Sequence, residues 1–250
     1  MSNHRLRLGI VGPGHVGAAL GRALIAGGDQ LVGVTPVPND RLDELRAVLG
    51  EDVRQLDAPS LVASSDLVLL TVPGDALEAT ISSLSAAGAW KPGQLIVHTA
   101  PEFGVGILAS AQAAGAIPLA IHPAMVFTGT SVDQSRIRGA SFAVTAAAPV
   151  LPIAAAMIAG LGAETLFIDE AARPAYAEAL DEIQARSEAL VADAASRFEA
   201  IGISPVSPLL DATIVPAVAS EIRNRARAEG VETLDEALED GLDDLGFPLL

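Results

Sequence analysis

Near its start the chain reads Gly12-Pro13-Gly14-His15-Val16-Gly17, a G-x-G-x-x-G run. In that spacing one glycine permits a tight turn, the next lets backbone approach a pyrophosphate, and the third lets a helix pack on a strand. The apolar run RLRLGIV precedes it and VGAALGRALIAG follows. A strand that feeds the turn and a helix that opens from it would aim unpaired N–H groups and the helix's positive end at one point, which suits an anion. The plain alternative is a tight turn that binds nothing. Strand, loop and helix in register favour a dinucleotide grip, with Gly12, Pro13, Gly14, His15, Val16 and Gly17 as its contacts.

The end of the next strand discriminates between cofactors. An acidic residue there would hold the ribose hydroxyls of NAD and repel the 2′-phosphate of NADP. The strand LVGVT ends instead at Thr35, and Asp29 precedes it. Thr35, Asn39 and Arg41 are available to a 2′-phosphate, so NADP is expected ahead of NAD. Arg41 reads equally as an exposed residue of a first helical turn.

Further polar residues fall just after apolar runs, where ligands of open α/β sheets bind. They are Thr71-Val72-Pro73, His98-Thr99 and His122, the last fixed by Pro123. A histidine at such a place either donates a proton as hydride arrives or hydrogen-bonds loop backbone. His122 is the candidate donor, Thr99 its polar neighbour, and His98 reads as structural. Four scattered histidines without ligand spacing give no metal site. Lys91 is the only lysine, which argues against a Schiff base or a phosphate-clamping lysine.

These residues need a frame. Short apolar runs are expected as strands at 5–11, 30–35, 67–72, 94–99, 117–121, 141–145 and 164–168. Helices are expected between them at 16–26, 39–49, 75–87, 105–114 and 151–161. This alternation predicts a doubly wound, mostly parallel sheet, and runs such as LVLLTV suit strands covered on both faces. After Asp169 no strand follows. Tyr176, Leu180, Ile183, Leu190, Val191, Phe198 and Ile201 form a helical stripe, and further helices are expected at 209–228 and 233–245. The expected organisation is a dinucleotide-binding domain over 1–168 and a smaller all-helical domain over 169–250.

Composition narrows the partners. The 250 residues carry a net charge of −16, with 31 acidic against 15 basic side chains. That balance argues against nucleic acid and anionic membrane surfaces. No cysteine is present, so disulfides and thiolate chemistry are excluded. The charge-free run 146–163 is interrupted by Pro149 and Pro152 and reads as a buried helix rather than a membrane span. A cytoplasmic protein acting on a small molecule is expected.

The glycine loop, TVPGDAL, WKPGQLIVHTA, AGAIPLAIHPAMVFTGT and EAARPAYAEAL together resemble one group within the phosphogluconate-dehydrogenase-like superfamily, over about residues 5–180. Members pair a Rossmann-like domain with a helical C-terminal domain, and some are similar to a ketopantoate reductase. The resemblance implies an NADP-dependent oxidoreductase that reduces a small oxo acid or imine. It also implies a long helix that mediates a homodimer and closes the cleft, which makes Glu178 or Glu182 a candidate substrate contact. Where the family reads His-Thr-Ser-Gly, this chain has His98-Thr99-Ala100-Pro101. Ala177 and Ala185 stand where the family has histidine and asparagine. These departures motivate a second reading, a catalytically silent NADP-binding sensor or assembly protein.

Overall fold

The computed structural model describes residues 5–230; the helix expected at 233–245 lies outside them. The chain divides into two compact units between Ala177 and Glu178. The first holds strands β1 (Arg7–Val11), β2 (Gln30–Val34), β3 (Leu67–Leu70), β4 (Leu95–His98), β5 (Ile117–Pro123), β6 (Ser141–Thr145) and β7 (Glu164–Phe167). They form one sheet in the order β2-β1-β3-β4-β5-β6-β7. Neighbours from β2 to β5 are parallel, β5 and β6 are antiparallel, and β6 and β7 are parallel.

Alternate residues of each strand face opposite sides, which explains the near-continuous apolar runs. Leu8, Ile10, Leu67, Leu69 and Val97 join one core with helices α1 (His15–Ala26) and α2 (Asn39–Leu49). Val11, Val68, Leu70 and Ile96 join the other with α3 (Ala58–Ser64), α4 (Gly74–Ala86) and α5 (Ala109–Ala113). Burial on both faces is the doubly wound arrangement, and the order reverses beside β1. The crevice beyond the ends of β1 and β3 is therefore the switch point at which such sheets bind ligands.

Several local features were not foreseen. Helix α3 starts at Asp57, whose carboxylate accepts from Ser60 N at 3.0 Å, with a proline in its first turn. The segment from Arg54 to Leu56 lies along β2, with Val34 N donating to Arg54 O at 2.9 Å and Leu56 N to Val34 O at 3.0 Å. It covers an otherwise open sheet edge. Helix α6 (Val132–Ile137) interrupts the loop between β5 and β6. The expected helix at 105–114 is instead a 3₁₀ turn, Val105–Leu108, leading into α5. Helix α7 (Leu151–Gly160) buries Ala154 and Ile158 but leaves Ile153 exposed, so it is a one-sided cover rather than a buried helix. Among the described residues no helix is long and apolar enough to cross a membrane.

Helix α8 (Arg173–Ala200) begins in the first unit and continues into the second, which also holds α9 (Ser207–Glu229). Within the second unit, Ile183, Leu190 and Val191 of α8 and Val215, Val218 and Ile222 of α9 are exposed. The helical stripe exists, but its apolar face meets no core there among the described residues.

Candidate functional site

The glycine loop leaves β1 and enters α1 at the switch point. Gly12 has φ +81°, a left-handed conformation, and a Cβ there would lie 2.7 Å from Val72 Cγ1 and 2.8 Å from Val72 N. A Cβ on Gly17 would collide with Thr71 Oγ1, so that glycine lets α1 press onto the strands. Gly14 differs. Its φ is −74°, and no atom beyond its chain neighbours stands within 4 Å of a Cβ built there. The fold requires Gly12 and Gly17, but leaves open space at Gly14.

Two hydroxyls tie the loop to neighbouring strands. Gly12 N donates to Thr35 Oγ1 at 3.0 Å, and Thr71 Oγ1 donates to Gly12 O at 2.6 Å. Beside the loop lies a cavity of about 730 Å³. Gly12, Pro13, Gly14, His15, Val16, Thr35 and Arg41 line one part, and Thr71, Val72, Pro73, Thr99, Ala100 and His122 another. The lining contains no aspartate or glutamate, although the chain carries 31. Arg41 faces the cavity and also pairs with Glu44. Asn39, the first residue of α2, is exposed and outside the lining, and Gly17 is buried. Among the described residues no cluster of histidines and carboxylates could hold a metal.

A second wall comes from the loop after β5. Asp133 is buried, and its carboxylate accepts from Thr128 N at 3.0 Å, Thr128 Oγ1 at 2.9 Å and Gly129 N at 2.8 Å. Burial works to raise its pKa, but these hydrogen bonds outweigh it and the net shift is downward. They fold the loop so that Gly129, at φ +75°, lies against His15; a Cβ there would stand 2.7 Å from the imidazole.

Further polar groups gather around His122, which lines the cavity. His98 is fully buried, and its Nε2–H donates to Gly104 O at 2.9 Å, while Nδ1 has no partner. His122 Nδ1 shares a 2.9 Å hydrogen bond with the Tyr176 hydroxyl, and the rings meet edge-on at 5.6 Å. Burial first, and then the positive charge of Arg173, push both histidines down to about 4; the hydrogen bond to Gly104 O and the negative charge of Glu170 partly oppose this at His98. Both imidazoles are therefore neutral near pH 7.

Arg173 is the sequence's best-hidden contribution. It is fully buried at the start of α8. Its Nε donates to Thr145 Oγ1 at 2.8 Å, and Nη2 donates to Ala120 O at 2.9 Å and Ala143 O at 3.0 Å. These bonds pin α8 to the antiparallel β5–β6 pair and set Tyr176, one turn on, against His122. Glu170 adds a second clamp, accepting from Val105 N at 2.8 Å and Gly106 N at 2.9 Å. In the sequence Tyr176 reads as one member of an apolar stripe, and Arg173 carries no expected role. The available signal was a cation at the start of a helix, where the macrodipole disfavours it. Glu178 and Glu182 are exposed on the part of α8 that belongs to the second unit, and Glu182 pairs with Arg186.

Residues 1–123 match the family model of the Rossmann-like domain. No curated protein matches the sequence. The fold is similar to that of a reductive aminase from Aspergillus terreus, solved with NADPH and ethyl-5-oxohexanoate. That match has 20% identity and a TM-score of 0.64, over 92% of this chain and 79% of that one. It is also similar to 3-hydroxyisobutyrate dehydrogenase from Mycobacterium tuberculosis, with 18% identity and a TM-score of 0.59 over 84% and 71% of the two chains. A third is an imine reductase variant from Myxococcus stipitatus bound to NAD+, with 16% identity and a TM-score of 0.56 over 90% and 78%. Sheet order and glycine loop agree with the family match, and the chain has the fold of these oxidoreductases, a Rossmann α/β sheet followed by helices.

Proposed function

We propose that the protein is an NADP-dependent oxidoreductase that reduces a small oxo acid or imine by hydride transfer from NADPH. The observation that carries this reading is Gly14. Its φ is −74° and a Cβ there would touch nothing, so the demand for glycine comes from a ligand that must approach the backbone closely. The acid-free lining of the cavity suits the same polyanion. Three solved proteins of this fold are oxidoreductases by name, two of them holding NADPH or NAD+.

In this reading the unpaired N–H groups of the first turn of α1, from His15 on, hold the pyrophosphate, and Gly12, Pro13 and Gly14 form the turn that lets it approach. Thr35, Asn39 and Arg41 take the 2′-phosphate, which requires the Arg41 guanidinium to turn from Glu44. Thr71, Val72 and Pro73 flank the ribose on the opposite side. When bound, the nicotinamide supplies a hydride. Thr99 orients the substrate and His122 delivers the proton to its oxygen or nitrogen. The exposed apolar residues of α8 and α9 support a homodimer, which light scattering measures. Because the coenzyme is an intracellular metabolite, a cytoplasmic setting follows.

A second reading is NADP binding without turnover. Ala100 and Pro101, which line the cavity where the resembled family has polar serine and glycine, favour it. The test is NADPH oxidation against a panel of small 2-oxo acids and cyclic imines, with wild type and His122→Ala. Turnover that collapses in His122→Ala supports the reductase. Binding of NADPH with no oxidation across the panel supports the silent protein.

A further inference from the structure

His122 faces a chemical difficulty as a proton donor. It is neutral near pH 7, since burial and the nearby cation hold it at about 4. A neutral imidazole can give up its Nε2 proton only if Nδ1 receives another at the same time; otherwise it becomes an anion. The group on Nδ1 is the hydroxyl of Tyr176, at 2.9 Å. Nε2 has no hydrogen-bond partner among the described residues, and His122 lines the cavity.

We propose that Tyr176 is the proton source of this site, acting through His122, and that the buried guanidinium of Arg173 stabilises the phenolate left behind. The inference rests on the reductase reading. As hydride adds to the substrate carbon, the electron pair of the C=O or C=N bond moves to the heteroatom, which takes the Nε2 proton. Nδ1 takes the hydroxyl proton of Tyr176. One proton has left the tyrosine, one has reached the substrate, and the imidazole is neutral before and after with its tautomer exchanged. Solvent then returns a proton to the half-buried Tyr176.

Arg173 is suited to this task. It lies three residues before Tyr176 on the same helix face. It is fully buried, makes no ion pair among the described residues, and its Nη1 lacks a partner. A buried cation whose neighbouring carboxylate, Glu170, acts on it without a direct ion pair is costly, and a phenolate would offset part of that cost. The other charged or titratable groups around the pair are His98 of β4, neutral for the same reason as His122, and Glu170, whose oxygens are engaged by Val105 N and Gly106 N. Burial raises the Tyr176 pKa and Arg173 opposes the rise without cancelling it, so removing the guanidinium makes the proton harder to release.

Tyr176 is the only tyrosine of the chain, so its ionisation can be read directly from ultraviolet absorbance of the cofactor-free protein. Arg173→Met is expected to raise its midpoint by about one pH unit or more, and Arg173→Lys by less; an unchanged midpoint in folded Arg173→Met would overturn the electrostatic role. Wild-type protein suffices for the relay itself. Nitrogen-15 NMR of labelled histidine near neutral pH, assigned with His122→Gln, is expected to show His122 protonated on Nε2 and accepting at Nδ1. A resonance pattern with the proton on Nδ1 overturns the relay. With a turned-over substrate, Tyr176→Phe is expected to lose roughly 100-fold or more in kcat while NADPH affinity holds; an unchanged kcat also overturns it. Absence of any NADPH oxidation would sink the reductase reading instead, and the tautomer and the titration would still decide the pair.

Discussion

Gly12 and Gly14 stand two residues apart and are glycines for different reasons. At Gly12 the backbone is left-handed and Val72 crowds the missing Cβ, whereas at Gly14 there is room for a side chain. Gly12→Ala is therefore expected to cost about 1–3 kcal/mol of stability. Gly14→Ala should leave the denaturation midpoint almost unchanged while weakening NADPH binding; retained affinity would remove the reason for a ligand at that position. The two histidines make a separate prediction. Both sit near 4 in the folded protein against an ordinary 6.5, so the unfolded chain binds more protons between those values. Stability should be full above about pH 6.5 and fall as pH drops toward 4, by up to about 1.4 kcal/mol per pH unit for each group. Urea unfolding at pH 7 and pH 5 measures it, and equal midpoints would contradict the buried neutral state.

At the scale of elements, the site depends on two connections that hold loops against the sheet. Asp133 folds the loop after β5 onto His15 through bonds to Thr128 and Gly129. Asp133→Ala is expected to cost about 1–3 kcal/mol and to weaken NADPH binding several-fold, since the wall beside the glycine loop is lost. Intact affinity in that variant would mean the wall is not part of the grip. The other connection, Arg173 across β5 and β6, shows where sequence reading stops. The strands around the switch point were legible because burial on both faces leaves unbroken apolar runs. Helix α6 and the antiparallel turn from β5 to β6 were not, because their specifying bonds come from single polar residues such as Asp133. Tyr176 reads as part of a helical stripe, and nothing in the spacing before it tells a buried cation at Arg173 from a solvated one.

For the whole molecule, charge and cavity point in opposite directions. The chain carries −16, yet the lining of the cavity beside the glycine loop has Arg41, His15 and His122 and no carboxylate. Acidic residues are thus absent from the lining of a cavity on an otherwise acidic protein, and that cavity adjoins a helix N-terminus and a glycine loop. The most direct test is calorimetric or fluorescence titration with NADPH and NADH, on wild type and Arg41→Ala. NADPH is expected to bind wild type more tightly than NADH, with the preference reduced about tenfold or more in Arg41→Ala as one charge-assisted contact is lost. Failure of wild type to bind either nucleotide would contradict the central claim.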